Sequence, residues 1–183
     1  MSQLKVNKII PVSGVATDSG NQLNGGGIIQ IRSIFKDNGF SVSASSGSFS
    51  DITDVSVSIT PTSNTSKILV QFQSSISTGG DVNQRGSFRL LRDSTVVNMA
   101  SADGQSTNQC IFPSIAVSQT SQSIPVAGSF LDNPQTTSQI TYKLQVGAEG
   151  GAGTVLVNAA GSGGTGTTHF KGVTNLIVME VSA

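Results

Sequence analysis

Tryptophan is missing from this 183-residue chain, and cysteine, histidine and tyrosine occur once each, as Cys110, His169 and Tyr142. A single cysteine excludes an intrachain disulfide framework and any multi-cysteine metal site. A single histidine leaves little from which to build a nucleophile, a base and an orienting group. Charge is scarce as well: Asp, Glu, Lys and Arg make 11% of the residues, ten acidic and ten basic, for a formal net charge of zero. Such a chain has no electrostatic footprint for phosphates or for an anionic membrane, so nucleic acid is not an expected partner. No stretch approaches the roughly 18 to 20 apolar residues of a membrane span, and membrane insertion is not expected. The segment from Met1 to Val12, where Lys5 and Lys8 interrupt a short apolar pattern that stops at Pro11, does not read as a signal peptide. The expectation is a protein made and assembled in a cytoplasm.

What fills the chain instead is serine and threonine, together 46 residues, with 21 glycines. Hydrophobic residues still make 36% and arrive in alternating runs, so the chain is expected to fold. Its length suits one domain with a tail. Residues 1–27 read as that tail. Leu4, Val6, Ile9 and Ile10 form a short apolar segment in which Leu4 to Ile9 alternates as a strand would, and residues 11–27 follow with Gly, Ser, Thr and Asn. The spacing predicts an N-terminal anchoring arm and a Gly-rich linker, followed by a domain over 28–183.

Within 28–183 the hydrophobic period is two. Ile28 to Ile31 opens it, and Val55, Val57 and Ile59 alternate with Ser56, Ser58 and Thr60 until Pro61 stops the run. Lys67 to Ser77 places Ile68, Val70, Phe72 and Ile76 on one face and Leu69, Gln71, Gln73 and Ser75 on the other. Ser87 to Arg92 and Thr95 to Met99 read as a hairpin turned by Asp93-Ser94. Further strands are expected at Ile124 to Leu131, Ile140 to Val146, Thr154 to Asn158 and Asn175 to Val181, with a turn at Asp132-Asn133-Pro134. No stretch carries a helical stripe. The fold class is all-β, an antiparallel β-sandwich of the jelly-roll type.

Candidate chemistry is thin. His169, after Gly166-Thr167-Thr168, sits where a strand begins and reads as a partly buried or intersubunit histidine. Most carboxylates neighbour Gly, Ser or Asn, where aspartate caps turns. Asp51 and Asp54 could bracket a hard cation, but without the ligand density of a calcium loop. A glycosidase pair would want aromatic platforms that this chain lacks, so no catalytic residue, metal or cofactor is expected. Gly161 to Gly166 satisfies G-x-G-x-x-G, yet no helix follows to receive a pyrophosphate. With Gly147 to Gly153 it marks two Gly-rich loops, and Gly150, Gly151, Gly163 and Gly164 are candidate receptor contacts. Asn64-Thr65-Ser66 fits a glycosylation sequon, which carries no weight in a chain read as cytoplasmic.

A set of phrases along most of the chain resembles small structural proteins of tailed bacteriophages of aquatic bacteria. They are Leu4 to Val12 with its Gly-rich spacer and Ile28 to Ile31, then Phe49 to Thr53, Val57 to Pro61, Thr65 to Val70 and Leu90 to Thr95. Ser129 to Asp132, Thr137 to Lys143 and Val178 to Val181 complete the set. The resemblance implies a jelly-roll domain, a homotrimer, and a place in the virion as a tail-fibre part or capsid decoration, joined to another virion protein through residues 1–27. It supplies no catalytic motif. A trimer would bury outward apolar residues, for which Leu69, Leu91 and Leu176 are the candidates. The rival expectation is a receptor-binding module that recognises host polysaccharide through the Gly-rich loops.

Overall fold

The computed structural model describes residues 27–44, 47–78, 85–97, 112–116, 123–149, 153–159 and 171–182. They form strands β1 (Ile28–Lys36), β2 (Phe40–Ala44), β3 (Phe49–Ile59), β4 (Lys67–Thr78), β5 (Arg85–Arg92) and β6 (Thr95–Val97). The chain continues through β7 (Phe112–Ala116), β8 (Ile124–Asp132), β9 (Ile140–Glu149), β10 (Gly153–Val157) and β11 (Thr174–Val181). The described residues contain no helix.

Two antiparallel sheets result. In the first, β4 pairs with β8 on one side. On its other side the first part of β4 pairs with β11 and its last residues with β10. Those two pair in turn with β1 and β2. In the second sheet β3, β9 and β5 lie in that order, and β6 and β7 share the far edge of β5. Taken as interrupted single strands, β1/β2, β6/β7 and β10/β11 leave eight strands in two sheets of four. The first sheet holds the first, eighth, third and sixth in chain order; the second holds the second, seventh, fourth and fifth. This is the double Greek key of a jelly roll.

The alternation read from sequence fills the space between the sheets. Ile68, Val70, Phe72 and Ile76 of β4 face Phe88 and Leu90 of β5, and Tyr142, Leu144 and Val146 of β9 join them. Phe72 and Phe88 touch across the sandwich, ring centroids 6.1 Å apart and tilted by 42°, in the favourable range for an aromatic pair. The β5–β6 hairpin forms where expected. Asp93 takes a φ of 54° there, which aspartate tolerates, and its carboxylate accepts a 2.9 Å bond from Thr141 N that ties the turn to β9.

Three features were not read in advance. Strand β1 runs on to Lys36, and β2 and β7 are additional strands. Past Ile31 the inward positions of β1 are Arg32, Ile34 and Lys36 and the outward ones Ser33 and Phe35, so the apolar residues keep to neither face and alternation gives no signal. In β7, Pro113 argues against a strand, yet β7 pairs only with β5 and so lies at an edge, where proline is tolerated.

Gly86 of β5 is required by packing: a Cβ there would stand 2.1 Å from Ile76 Cδ1, inside the core. Gly86→Val should lower the unfolding free energy by about 1–3 kcal/mol through overpacking, read as a lower urea midpoint at unchanged slope. A double variant with Ile76→Val should recover part of the loss.

A polar knot closes the junction of β10 and β11. Buried Asn158, at φ 57°, donates from Nδ2 to Lys36 O at 3.1 Å and accepts from Thr174 Oγ1 at 2.9 Å. The Ser74 and Thr174 hydroxyls are 2.7 Å apart. The bonds among Ser74, Thr174 and Asn158 satisfy buried groups.

Candidate assembly surface

Among the described residues two carboxylates, Asp132 and Glu180, enter the interior, and hydrogen bonds hold both. Asp132, at the end of β8, crosses from the first sheet to the second: Arg92 Nη1 donates to both its oxygens at 2.9 and 2.8 Å, and Tyr142 OH donates at 2.6 Å. Asn133 N adds a 2.9 Å bond. Burial, then the bond to Asp132 and its charge, push the Tyr142 phenol well above its ordinary value, so it stays a donor. Glu180, on β11, accepts from Gln30 Nε2 at 2.6 Å and from Thr62 N and Oγ1 at 2.7 Å each. Burial alone would raise its pKa, but the donors from Gln30 and Thr62 overcome that and hold it at about 2. Gln30 Nε2 also donates to Thr60 O at 2.8 Å, so this cluster pins the β3–β4 connection to the first sheet. Both carboxylates act as clamps, Asp132 between the sheets and Glu180 between β11 and the β3–β4 connection.

The outer face of the second sheet is laced with charges that satisfy one another. Arg89 Nε donates to Gln145 Oε1 at 2.6 Å, Gln145 Nε2 to Asp51 Oδ1 at 2.5 Å, and Lys143 Nζ to Asp51 Oδ2 at 2.7 Å. Lys143, then Gln145, hold the Asp51 carboxyl below its ordinary value against a partial burial effect. The Arg89 guanidinium also lies 4.3 Å over the Phe49 ring. Asp54, in the irregular stretch of β3 with φ 63°, pairs instead with Lys36 at 3.3 Å. Asp51 and Asp54 thus face separate cations and form no joint cation site; among the described residues no cluster of metal-ligating side chains occurs.

The outer face of the first sheet has the opposite character. Cross-strand register lines up Ile31, Met179, Leu69 and Leu131 as one apolar row spanning β1, β11, β4 and β8. The next rows are Ser33, Ile177, Gln71 and Ser129, then Phe35, Asn175, Gln73 and Ala127. Ile28, Ile31, Phe35 and Leu131 are 57%, 53%, 61% and 50% exposed, far more than large apolar side chains usually are in a sandwich. Among these rows and the flanking Val181 and Lys67, the one charged residue is Lys67. Where small residues on β8 lie beside the glutamines, a depression of about 430 Å³ opens, lined by Gln71, Gln73, Gly128, Ser129, Asn175 and Ile177.

The residues named in advance divide. Leu69 lies on this face, half-buried within the apolar row. Leu176 does not face outward: it is 0% exposed in the core, because β11 turns Leu176, Val178 and Glu180 inward. Leu91 does leave the core side of β5, but it is already 5% exposed within a single chain, beside Val96 and Lys143. Leu4, Val6, Ile9, Ile10, Cys110, Gly150, Gly151, Gly163, Gly164 and His169 lie outside the described residues. Ile31, Phe35, Leu131 and Met179 carry no common signal in the sequence, since their shared face exists only once four strands are in register.

No family model matches the sequence, and no curated protein matches it. Among solved structures, the infectious bursal disease virus Gt strain covers 93% of this chain at 13% identity and a TM-score of 0.46. The T13 viral particle of the same virus and its VP2 subviral particle give TM-scores of 0.43 and 0.41, each at 13% identity and each over 93% of this chain. The chain spans 45%, 42% and 43% of the lengths of those three. At this level the likeness carries no functional argument; the jelly-roll assignment rests on the strand order of the chain itself.

Proposed function

We propose that this chain is a non-enzymatic structural protein of a bacteriophage virion. In this reading it is a homotrimeric appendage or capsid decoration, attached to another virion protein through residues 1–27. The observation that carries the reading is a jelly roll with one sheet face charge-laced and self-satisfied and the other apolar and almost charge-free. A surface of the second kind suits subunit contact rather than permanent hydration. The resemblance of its sequence phrases to those of phage structural proteins is the second support for this reading. The buried carboxylates serve the sandwich, which agrees with a structural role.

Electron cryomicroscopy of particles carrying the tagged protein tests the reading and distinguishes head from tail. A chain lacking residues 2–12 is expected to keep the wild-type circular dichroism and oligomeric mass while its particle occupancy falls at least tenfold. Normal incorporation of that deletion would refute the anchoring role.

A further inference from the structure

We propose that the outer face of the first sheet is where copies of this chain meet, with the row Ile31, Met179, Leu69 and Leu131 at the centre of the contact. The proposal rests on the self-association in the reading above and assigns it to one surface. It moves the contact away from Leu176, which lies in the core, and from Leu91, which lies on the other sheet; within the row Met179 is itself only 9% exposed, so Ile31, Leu69 and Leu131 carry the accessible apolar surface.

Charge is the first argument for a second copy as the occupant. Among the described residues of these rows a partner of either sign would find only one charge to pair with, Lys67, at the end of the rows. The chain has zero net charge, so two copies approach without long-range repulsion. Among the described residues the second sheet offers no comparable surface, because Asp51, Arg89, Lys143 and Gln145 are engaged with one another.

Hydrogen bonding is the second argument. Beside the apolar row stand Gln71, Gln73, Asn175 and Ser129, and no hydrogen bond joins these side chains to another described side chain. Amides and hydroxyls both donate and accept. Such groups can satisfy one another whether two copies of the patch meet face to face across a twofold axis or three copies gather it around a threefold axis and meet at unlike edges. Size is the third. Four strands at about 4.8 Å spacing and roughly 25 Å of strand length give a flat area on the order of 400–500 Å² before side-chain relief. That is a large part of the roughly 800 Å² per partner in a stable interface.

The test is sedimentation velocity on the purified full chain at micromolar concentration, with single charges placed on each face. Wild type and Ser56→Lys, an exposed position on the outer face of the second sheet, are expected to give the same multimeric mass. Ile31→Lys and Leu131→Lys, exposed at opposite ends of the row, are expected to weaken association at least tenfold while keeping the wild-type circular dichroism. Gln71→Glu, a near-isosteric change at an exposed position, should act in the same direction and covers the case in which a lysine variant fails to fold. If all three variants keep the wild-type mass, the face is wrong while self-association stands. If wild type is itself monomeric, both readings fall. A wild-type dimer split by the same variants supports the face and refutes the trimer.

Discussion

Asp132→Ala should be the most damaging single change outside the hydrophobic core. The carboxylate receives both bonds from Arg92 Nη1 and the Tyr142 hydroxyl, and it joins the end of β8 to β5 and β9 in the opposite sheet. Its removal leaves a fully buried phenol and a three-quarters-buried guanidinium side chain without their acceptor. Breaking a buried pair from one side costs about 3–5 kcal/mol. Partial solvent access at Arg92 places the expected loss near the lower figure, about 3 kcal/mol, or a fall in Tm of about 6–12 °C for a chain of this size. Tyr142→Phe, which leaves the Arg92–Asp132 pair intact, should cost about half as much. Urea denaturation of both variants checks this ordering. Equal losses would mean that the hydroxyl, and not the ion pair, holds the sheets together.

Acid should destabilise the protein through Glu180. Its pKa is about 2 in the folded chain, against about 4.3 for an unfolded glutamate. A depressed carboxylate contributes its full stabilisation above the unfolded value and loses it as pH falls toward the folded one. The contribution is therefore complete above about pH 5 and disappears progressively between about pH 5 and 2. With solvent near the sheet rim screening part of the effect, it amounts to about 1–2 kcal/mol. Asp51, also held below its ordinary value, adds to the same acid loss. Glu180→Gln should flatten the dependence of unfolding free energy on pH across that window and lower stability at pH 7. An unchanged acid slope would show that the clamp on Thr62 contributes nothing through its charge.

Both clamps explain why the buried acids of this protein were hard to find in its sequence. Glu180 reads as an ordinary charge in a strand, and Asp132 as a turn former before Asn133 and Pro134. Their donors lie far away in the chain: Thr62 is 118 positions from Glu180, and Arg92 is 40 from Asp132. Spacing carries no record of such pairs. Leu176 shows a related limit. Leu176, Ile177 and Val178 are three apolar residues in succession, and over such a run alternation cannot say which face is inward.

Period-two patterning and turn chemistry are local, so the sequence by itself determined the all-β class, most of the strands and the Asp93 hairpin. The scarcity of charge likewise determined that one face could be left nearly free of it. Only the tertiary structure decided which face that is. The pairing of β1, β11, β4 and β8 brings residues from positions 31 to 179 into one row. A sheet's register is set by hydrogen bonds between distant segments and by the burial of the opposite face, and a slip of one residue would have turned every one of those side chains into the core.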